Sequence, residues 1–283
     1  MTRRAGARHP AGPRSGQRGL ALLAVIWAVG LLAVMAMDVL LAARRESRQR
    51  IEMGEHARLE AAAQAGLALA VRALLQTPPG DAAGPHSFDG SRIFVQVEPE
   101  AGKVDLNRAA PELLQAVFEA AGQPRPQARA WAALITDWRD NDQSPEAGGG
   151  MEVAEYRRQG RTVLPRDAEF QSVRELLELP GMTPELLDLV ATGLTVHGLA
   201  VEPEFRLAPP LVRAAMLAAR RRSGTPAEPP AGQPPAGARR AGLAGQAFTL
   251  RIEAQRPSGR VAHVAVVRLT GHRRAPYWVQ DWR

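Results

Sequence analysis

The chain has 283 residues, of which 45% are apolar, so it can bury a sizeable core as one elaborated domain or two small ones. It contains no cysteine, which excludes disulfide bonds, thiolate catalysis and sulfur-ligated zinc. The formal charge of +7 suggests an acidic partner, but the charge is uneven. Residues 1–50 carry nine arginines against two acidic residues, residues 51–210 carry 14 basic against 24 acidic residues, and residues 211–283 carry 13 against three. The central part of the chain is therefore acidic.

An uncharged segment near the N-terminus is long enough to cross a membrane. Leu20 to Met37 are 18 consecutive residues without charge or proline, and three more apolar residues follow Asp38. At 1.5 Å per residue the segment is roughly 27 Å long, close to the hydrocarbon thickness of a bilayer. We predict a transmembrane helix, with a cleaved secretory signal as the alternative. Arginines flank the segment on both sides, so charge bias leaves its orientation open.

The helical pattern continues beyond the apolar segment. Small and apolar residues recur at helical spacing until Thr77–Gly80, where a threonine, two prolines and a glycine stop the pattern. We predict one helix from about residue 20 to residue 76, half in lipid and half packed on a soluble body. The recurring residues are Leu59, Ala62, Ala63, Gly66, Leu67, Ala70, Val71, Leu74 and Leu75.

Strand patterns occur in two regions that are far apart in the sequence. Residues 92–97 alternate like a half-buried strand, with Phe88 and Gly90 expected in the turn before it. Residues 247–254 and 260–269 form a second region around a turn at 256–259. The two regions together predict a small antiparallel sheet that packs against the long helix.

The residues between these strand regions have helical patterning. One helix is expected after Asn107, a plausible cap, with Pro111 in its first turn. Apolar residues from Trp131 to Trp138 follow helical spacing, and residues 176–190 predict a helix, a tight turn and a helix. Residues 224–245 are rich in proline, glycine and alanine, which favours a flexible linker or long loop.

Several motifs resemble the K family of minor pseudopilins of the type II secretion system. The basic leader ending in Arg18 and Gly19 is similar to a type IV pilin-like signal, and the later motifs resemble K-family segments in the expected order. The resemblance spans most of residues 16–200 and weakens after Leu199. Its motifs are LALLAVIWAVGLLAV, VDLNRAAPELLQAV, TDWRDND and VRELLELPGMTPEL.

The resemblance implies an α+β pseudopilin fold, in which a long N-terminal helix packs on a small antiparallel sheet. It also implies a large all-helical insertion that contains helix-hairpin-helix-like motifs. The expected organisation is a basic leader at 1–19, the transmembrane part of the helix at 20–41, the soluble half of the helix with the first strand at 42–104, the helical insertion at 105–200, a degenerate helix and linker at 201–246, and a C-terminal β-hairpin at 247–283.

Maturation of the N-terminus is a second implication of the resemblance. Prepilin peptidase would cleave after Gly19, so that the mature chain starts at Leu20 and is methylated there. Ala24 occupies the fifth mature position, where most pilin-like proteins have glutamate and K-type proteins characteristically lack it. A carboxylate at that depth would need a neighbouring N-terminal amine, which a capping subunit does not have above it. An ordinary membrane anchor has no glutamate requirement either, so Ala24 alone does not decide.

The function implied by the resemblance is that of a non-enzymatic tip component. It would initiate or cap the pseudopilus that moves folded proteins across the outer membrane. The protein would be a single-pass inner-membrane protein with a periplasmic C-terminal domain. Its expected partners are other minor pseudopilins, prepilin peptidase and, as a possibility, the secreted proteins, with no nucleic acid.

Five carboxylates cluster in the sequence around the end of the Trp131–Trp138 helix. They would repel one another unless a cation gathers them, and a hard cation such as calcium takes about six to eight oxygen ligands. The alternative is a set of solvated charges paired with Arg139, Arg157 and Arg158. The spacing is not that of an EF-hand, but the K family is understood to bind calcium in this insertion. The candidate ligands are Asp137, Asp140, Asp142, Glu152 and Glu155.

The segment Leu179–Leu186 also resembles a helix-hairpin-helix, which offers backbone amides to a nucleic-acid phosphate. Thr183 replaces the second glycine of that motif, and the surrounding region is acidic. Both features disfavour phosphate binding. A membrane-anchored DNA receptor of the competence type is therefore the alternative function, and a packing role for the hairpin is the default.

Overall fold

The computed structural model describes residues 16–76, 85–222 and 243–283. Residues 1–15 of the predicted leader, the side chains of residues 16–21 and most of the predicted linker at 224–245 lie outside this description. The predicted processing site at Gly19 and Leu20 is therefore described only as backbone. The chain divides into two compact units, residues 1–58 and residues 59–283, which are described in turn.

The first unit contains the greater part of a single long helix, α1, which runs from Gly16 to Gln76. This continuous helix confirms the prediction of one rod from about residue 20 to residue 76. Within the described residues, α1 is the one helix long and apolar enough to cross a membrane by length and composition. Every described side chain from Leu22 to Met53 is exposed. Charged residues first become frequent at Arg44, where a pair of arginines follows the apolar run.

The second unit contains a five-stranded antiparallel sheet in the order β1-β2-β5-β6-β7. The predicted strands are confirmed, but the sequence did not reveal β1 and β7. Phe88, expected in a turn, ends β1, and the turn itself is formed by Asp89 and Gly90 at positive φ. The C-terminal region is thus a three-stranded meander rather than a hairpin. The strands are β1 Pro85–Phe88, β2 Ser91–Pro99, β5 Ala247–Arg256, β6 Gly259–Leu269 and β7 Tyr277–Trp282.

Helix α1 packs closely on this sheet through its C-terminal part. Leu59, Ala62 and Ala63 begin a buried stripe that continues to Leu74 and meets apolar side chains of β2, β5 and β6. If Gly66 carried a methyl group, that carbon would lie 2.7 Å from Ile93 Cγ2, closer than carbon atoms pack. The small residues of this stripe therefore let the helix backbone approach the sheet.

Strands β2 and β5 are neighbours in space although the helical region separates them in sequence. They pair over eight positions, from Arg92 opposite Gln255 to Pro99 opposite Phe248. The chain therefore leaves the sheet at the end of β2, passes through the helical region and returns to the sheet at the adjacent strand β5. This connection is expected for an insertion between two strands of one sheet.

The helical region has its own core, which is separate from the core beneath the sheet. It extends from Val104 to Met216, so the boundary predicted at residue 200 lies inside it. A short parallel pair, β3 Val104–Asp105 with β4 Leu194–Thr195, joins the start of this region to the segment before its last helix. Its helices are α2 Pro111–Ala120, α3 Arg125–Arg139, α4 Val153–Arg158, α5 Pro184–Ala191 and α6 Pro210–Arg222.

Two details of the predicted helices are wrong. Asn107 does not cap α2, which begins after Ala110 with Pro111 in its first turn. The Asn107 side chain instead donates to the Phe170 carbonyl at 3.0 Å and accepts from the Phe170 amide at 2.7 Å, because the loop before α2 packs against a distant segment. The first arm of the predicted helix-turn-helix is a 3₁₀ helix, Val173–Glu178, rather than an α-helix.

A buried polar contact connects the helical region to the sheet. Glu100, which is 3% exposed, follows β2 and accepts hydrogen bonds from Thr249 Oγ1 of β5 at 2.7 Å and from Lys103 Nζ at 2.6 Å. A carboxylate removed from water needs such partners. The contact therefore fixes the start of the insertion relative to β5.

Candidate functional site

Three carboxylates come together where α3 ends and α4 begins. Helix α3 ends at Arg139, and Asp140 continues in an extended conformation at φ −83° and ψ 173°. The loop then returns to Glu152, the residue immediately before α4. Oxygen atoms of Asp140, Asp142 and Glu152 all lie within 4.8 Å of one another. These three residues, the acidic triad, are half-buried, exposed and buried respectively.

Glu152 is the most unusual member of the acidic triad. Its side chain is 2% exposed, and neither carboxylate oxygen has a hydrogen-bond partner among the described residues. Burial raises the pKa of Glu152 to about 7, and the negative charges of Asp137 and Asp140 add to the rise. Asp140 Oδ1 is also buried without a partner in the described part of the chain. Buried carboxylate oxygens normally have a partner, so these three oxygens are the unsatisfied polar atoms of the site.

Asp137 contacts the backbone of the loop between α3 and α4 and is not a member of the acidic triad. It is 1% exposed and accepts from the Glu146 amide at 2.9 Å. A methyl group at Gly150 would lie 2.2 Å from Asp137 Oδ2, so the loop backbone packs directly on this carboxylate. Burial raises the pKa of Asp137 to about 6, and Asp140 contributes further. Its contacts in this structure are those of a residue that anchors the loop.

Glu155 lies outside the acidic triad as well. Its carboxylate accepts from the Glu152 amide at 3.1 Å and forms an ion pair with Arg158. The two glutamates have the arrangement of a capping box, in which the Glu152 carboxylate lies near the Glu155 amide without a hydrogen bond to it. Glu155 therefore stabilises the first turn of α4 and holds the backbone of Glu152 in place. Of the five predicted ligands, the structure brings together Asp140, Asp142 and Glu152, whereas Asp137 and Glu155 hold the surrounding backbone.

Arginines do not neutralise the acidic triad by direct contact. Arg139 donates to the carbonyls of Leu106 and, at 2.8 Å, Ala109, although its charge acts on Asp140 from there. Arg158 is engaged with Glu155. In residues 85–222, no ion pair joins a basic side chain to Asp140, Asp142 or Glu152. The predicted alternative of arginine-paired loop charges therefore holds for Glu155, which pairs with Arg158, but not for the acidic triad.

Asp167 is a neighbour that the sequence did not single out. It has a positive φ of 49°, which is uncommon for a residue other than glycine, and its buried Oδ1 has no partner among the described residues. Its charge raises the pKa of both Asp140 and Glu152. Asp167 lies in an irregular loop, where no periodicity could have revealed that it approaches the acidic triad.

An aromatic cluster lies beside these carboxylates in the sequence and in the core. Trp138, Tyr156 and Phe170 are all at most 2% exposed. Trp138 stacks on Phe170 with ring centroids 5.9 Å apart and lies 6.3 Å from the Tyr156 ring. Each aromatic residue is adjacent in sequence to a segment that carries a carboxylate of the site. Burial raises the pKa of Tyr156, and the charges of Asp137 and Glu152 add to the rise, so the aromatic cluster borders these two carboxylates.

The predicted helix-hairpin-helix turn supplies the N-terminal cap of α5 from its own side chain. Gly181 has a positive φ of 82°, and Thr183 Oγ1 accepts from the Leu186 amide at 3.3 Å at the start of α5. Thr183 is therefore the N-cap of α5, and Glu185 adds negative charge in the first turn of that helix. These contacts agree with the predicted packing role of the hairpin.

Comparison with known proteins connects this region to one family. Residues 96–197 match the family model described as type II secretion system (T2SS), protein K. No curated protein sequence matches the chain significantly. The proteins of this family are structural components of a secretion system. The match therefore favours a role in secretion over the predicted alternative role in DNA uptake.

A solved structure shares the fold. It is the crystal structure of the GspK-GspI-GspJ complex from the enterotoxigenic Escherichia coli type 2 secretion system. The similarity has a TM-score of 0.56 at 15% sequence identity and covers 85% of this chain and 98% of that one. The likeness confirms the predicted α+β pseudopilin fold with its helical insertion. Residues 96–197 therefore match the type II secretion system protein K family, and the chain shares the fold of a GspK-containing complex.

Proposed function

We propose that this protein is the tip subunit of the pseudopilus and initiates or caps its assembly. The observation that supports this role is the helical region, which leaves the sheet after β2 and returns to it at β5 with a core of its own. Subunits along a filament shaft pack side by side through their N-terminal helices. An additional domain of this size is best accommodated at the end of the filament, where no further subunit packs above it.

The proposed location is the inner membrane, with α1 as a single anchor and the second unit in the periplasm. Helix α1 has the length and apolar surface for this role, and its described side chains before residue 54 are exposed and available to lipid or to neighbouring helices. We propose other minor pseudopilins as the partners of α1. Support comes from the similar structure, which is a complex of GspK with GspI and GspJ.

A count of subunits per filament tests the tip role. Because the chain has no cysteine, one engineered cysteine at an exposed position such as Leu189 gives a single labelling site. In isolated pseudopili we expect about one labelled subunit per filament, at an end, whatever the filament length. A number of labels that grows with filament length would instead identify a shaft subunit and overturn the proposal.

Processing after Gly19 is proposed from the pilin-like leader. We expect N-terminal sequencing of the membrane form to begin at Leu20, and the intact mass to reveal a methylated N-terminus. In a strain without prepilin peptidase the chain should begin upstream of Leu20. A mature start beyond residue 40 would show that the apolar segment is removed as a secretory signal, which contradicts an anchored subunit.

Calcium is the proposed ligand of the acidic triad. Oδ1 of the half-buried Asp140 and both carboxylate oxygens of the buried Glu152 lack donors among the described residues, and oxygens of Asp140, Asp142 and Glu152 lie within 4.8 Å of one another. A hard divalent cation satisfies such oxygens and offsets their repulsion, whereas imidazole and thiolate ligands favoured by softer metals are missing from the triad. Asp167 is a further carboxylate of this region, because its charge acts on both Asp140 and Glu152. Calcium bound here would fix the α3–α4 loop of the tip domain.

A further inference from the structure

Four arginines follow the apolar part of α1 within seven residues, and three of them have no partner among the described residues of the helix. Arg50 forms an ion pair with Glu46 at 2.6 Å. Arg44, Arg45 and Arg48 are exposed, and no hydrogen bond or ion pair within residues 16–76 involves them. These three residues are referred to as the arginine triad.

The helical geometry places the arginine triad on one side of α1. At 100° per residue, Arg44, Arg45 and Arg48 fall within an arc of about 100°. Glu46 and Arg50 fall on the opposite side, at about 200° and 240° from Arg44 on the same scale. Glu46 therefore pairs with Arg50 and leaves the arginine triad without an ion pair. Glu52, four residues after Arg48 on the same side of the helix, forms no ion pair within residues 16–76 either.

The distance from the apolar segment places the arginine triad at the depth of lipid headgroups. The exposed apolar residues run from Leu22 to Leu41, which at 1.5 Å per residue spans about 30 Å, the thickness of the hydrocarbon layer. Arg44 and Arg48 then lie about 4.5 Å and 10 Å beyond Leu41 along the axis. The headgroup layer begins at this depth, and long arginine side chains reach into it.

We propose that the arginine triad binds the phosphate groups of anionic phospholipids. Guanidinium groups donate in a planar fork that matches phosphate oxygens, and arginines near an anionic surface are attracted to it. The inference rests on the proposed membrane insertion and processing. Cleavage after Gly19 removes the five leader arginines and leaves the arginine triad with Arg50 as the basic residues next to the span. The bound lipids would hold the subunit in the bilayer before it assembles.

Lipid selectivity of the processed full chain tests this inference. The chain beginning at Leu20 is reconstituted into phosphatidylcholine vesicles with spin-labelled phosphatidylglycerol or spin-labelled phosphatidylcholine, and the motionally restricted fraction of each label is measured. We expect the anionic lipid to associate about fivefold more strongly than the zwitterionic lipid, with the preference falling as salt is added.

Variants assign the preference to the arginine triad. In the triple variant Arg44→Gln, Arg45→Gln, Arg48→Gln the preference should fall to about one, because glutamine keeps the helix propensity without the charge. Arg50→Gln is the matched control and should keep the wild-type preference. A triple variant that keeps its preference, or an Arg50→Gln variant that loses as much, would overturn the inference.

Two outcomes separate this inference from the proposed function. A chain that fails to incorporate into vesicles at all would contradict the membrane anchor itself. A triple variant that incorporates, keeps its lipid preference and loses its association with other minor pseudopilins would show that the arginine triad binds protein rather than lipid, and the lipid inference would be wrong.

Discussion

Calcium is expected to stabilise the protein strongly and to raise its unfolding temperature. At a calcium concentration of about 100 times Kd, binding to the folded state alone adds about 2.7 kcal/mol. For a chain of this size, that corresponds to an increase of roughly 5–10 °C. The measurement is thermal unfolding of the purified chain in detergent, with a chelator and then with added calcium, together with calorimetric titration of calcium.

The acidic triad should account for this effect. The double variant Asp140→Asn, Asp142→Asn is expected to lose both the heat of calcium binding and the calcium-dependent rise in unfolding temperature. Asp188→Asn, which removes one negative charge from an exposed position on α5, is the matched control and should behave like the wild type. No heat in the wild-type protein, or an unchanged response in the double variant, would exclude calcium at this position.

Without calcium, the same carboxylates should make the protein less stable as the pH rises. Burial raises the pKa of Glu152 from 4.5 to about 7 and that of Asp137 from 3.8 to about 6. The folded chain therefore holds these protons more tightly than the unfolded chain does. The contribution of these two carboxyl groups to the free energy of unfolding is therefore fully present below pH 4 to 5. This contribution is lost as the pH rises through 6 and 7. We expect a loss on the order of 4 kcal/mol between pH 5 and pH 8 in chelator, because each unit between the pH and the raised pKa corresponds to about 1.4 kcal/mol.

Glu152→Gln separates the two roles of this residue. In chelator at pH 8 the variant should be more stable than the wild type, because it removes a buried charge without a donor. In calcium the order should reverse, because the variant lacks a ligand carboxylate. Calcium affinity of the wild type should also weaken below pH 7, where Glu152 becomes protonated. Urea unfolding at pH 5 and pH 8, with and without calcium, measures these differences in the free energy of unfolding. An unfolding free energy in chelator that rises with pH would contradict the raised pKa values.

Replacement of Trp138 by alanine is expected to have the second large effect, a loss of about 4 kcal/mol in the free energy of unfolding. Trp138 is 1% exposed and packs against Phe170 and Tyr156 from two other segments of the helical region. The substitution removes a large buried side chain and leaves a cavity between these segments. It should also weaken calcium binding, because the same segments place Asp140 and Glu152.

Trp278→Ala provides the control for this substitution. Trp278 is 64% exposed on the edge strand β7, so its removal should change the unfolding free energy by no more than about 0.5 kcal/mol. Trp138→Phe, which keeps an apolar ring, should lose clearly less stability than Trp138→Ala. Denaturant unfolding of the three variants compares them directly. Equal effects of Trp138→Ala and Trp278→Ala would show that the aromatic cluster does not hold the helical region together.

The fold was largely predictable where each element depends on a local pattern. The apolar run and the recurring small residues predicted α1 because helical periodicity is a property of neighbouring residues. The alternation in residues 92–97 and 247–269 predicted three of the five sheet strands for the same reason. The strand β1 is short and β7 has a mixed pattern, so their pairing with β2 and β6 supplies the stability that their own sequences do not indicate.

The candidate site was only partly predictable. The sequence placed five carboxylates near one another but not their roles, because a carboxylate that binds a cation and one that caps a helix look alike in sequence. The structure groups Asp140, Asp142 and Glu152, assigns Asp137 and Glu155 to the backbone around them, and adds Asp167. It also gives Asn107 a partner 63 residues away instead of a helix end.

Sequence patterns were enough to predict the long apolar helix, three of the five sheet strands, the resemblance to K-type pseudopilins and the region rich in carboxylates. These depend on composition and on periodicity along the chain. Three features became visible only in the folded chain: which carboxylates are removed from water, which side chains meet across distant segments, and where the insertion joins the sheet. Burial and electrostatic coupling depend on distances in space, which bring Asp137, Asp140 and Asp167 close enough to act on the buried Glu152.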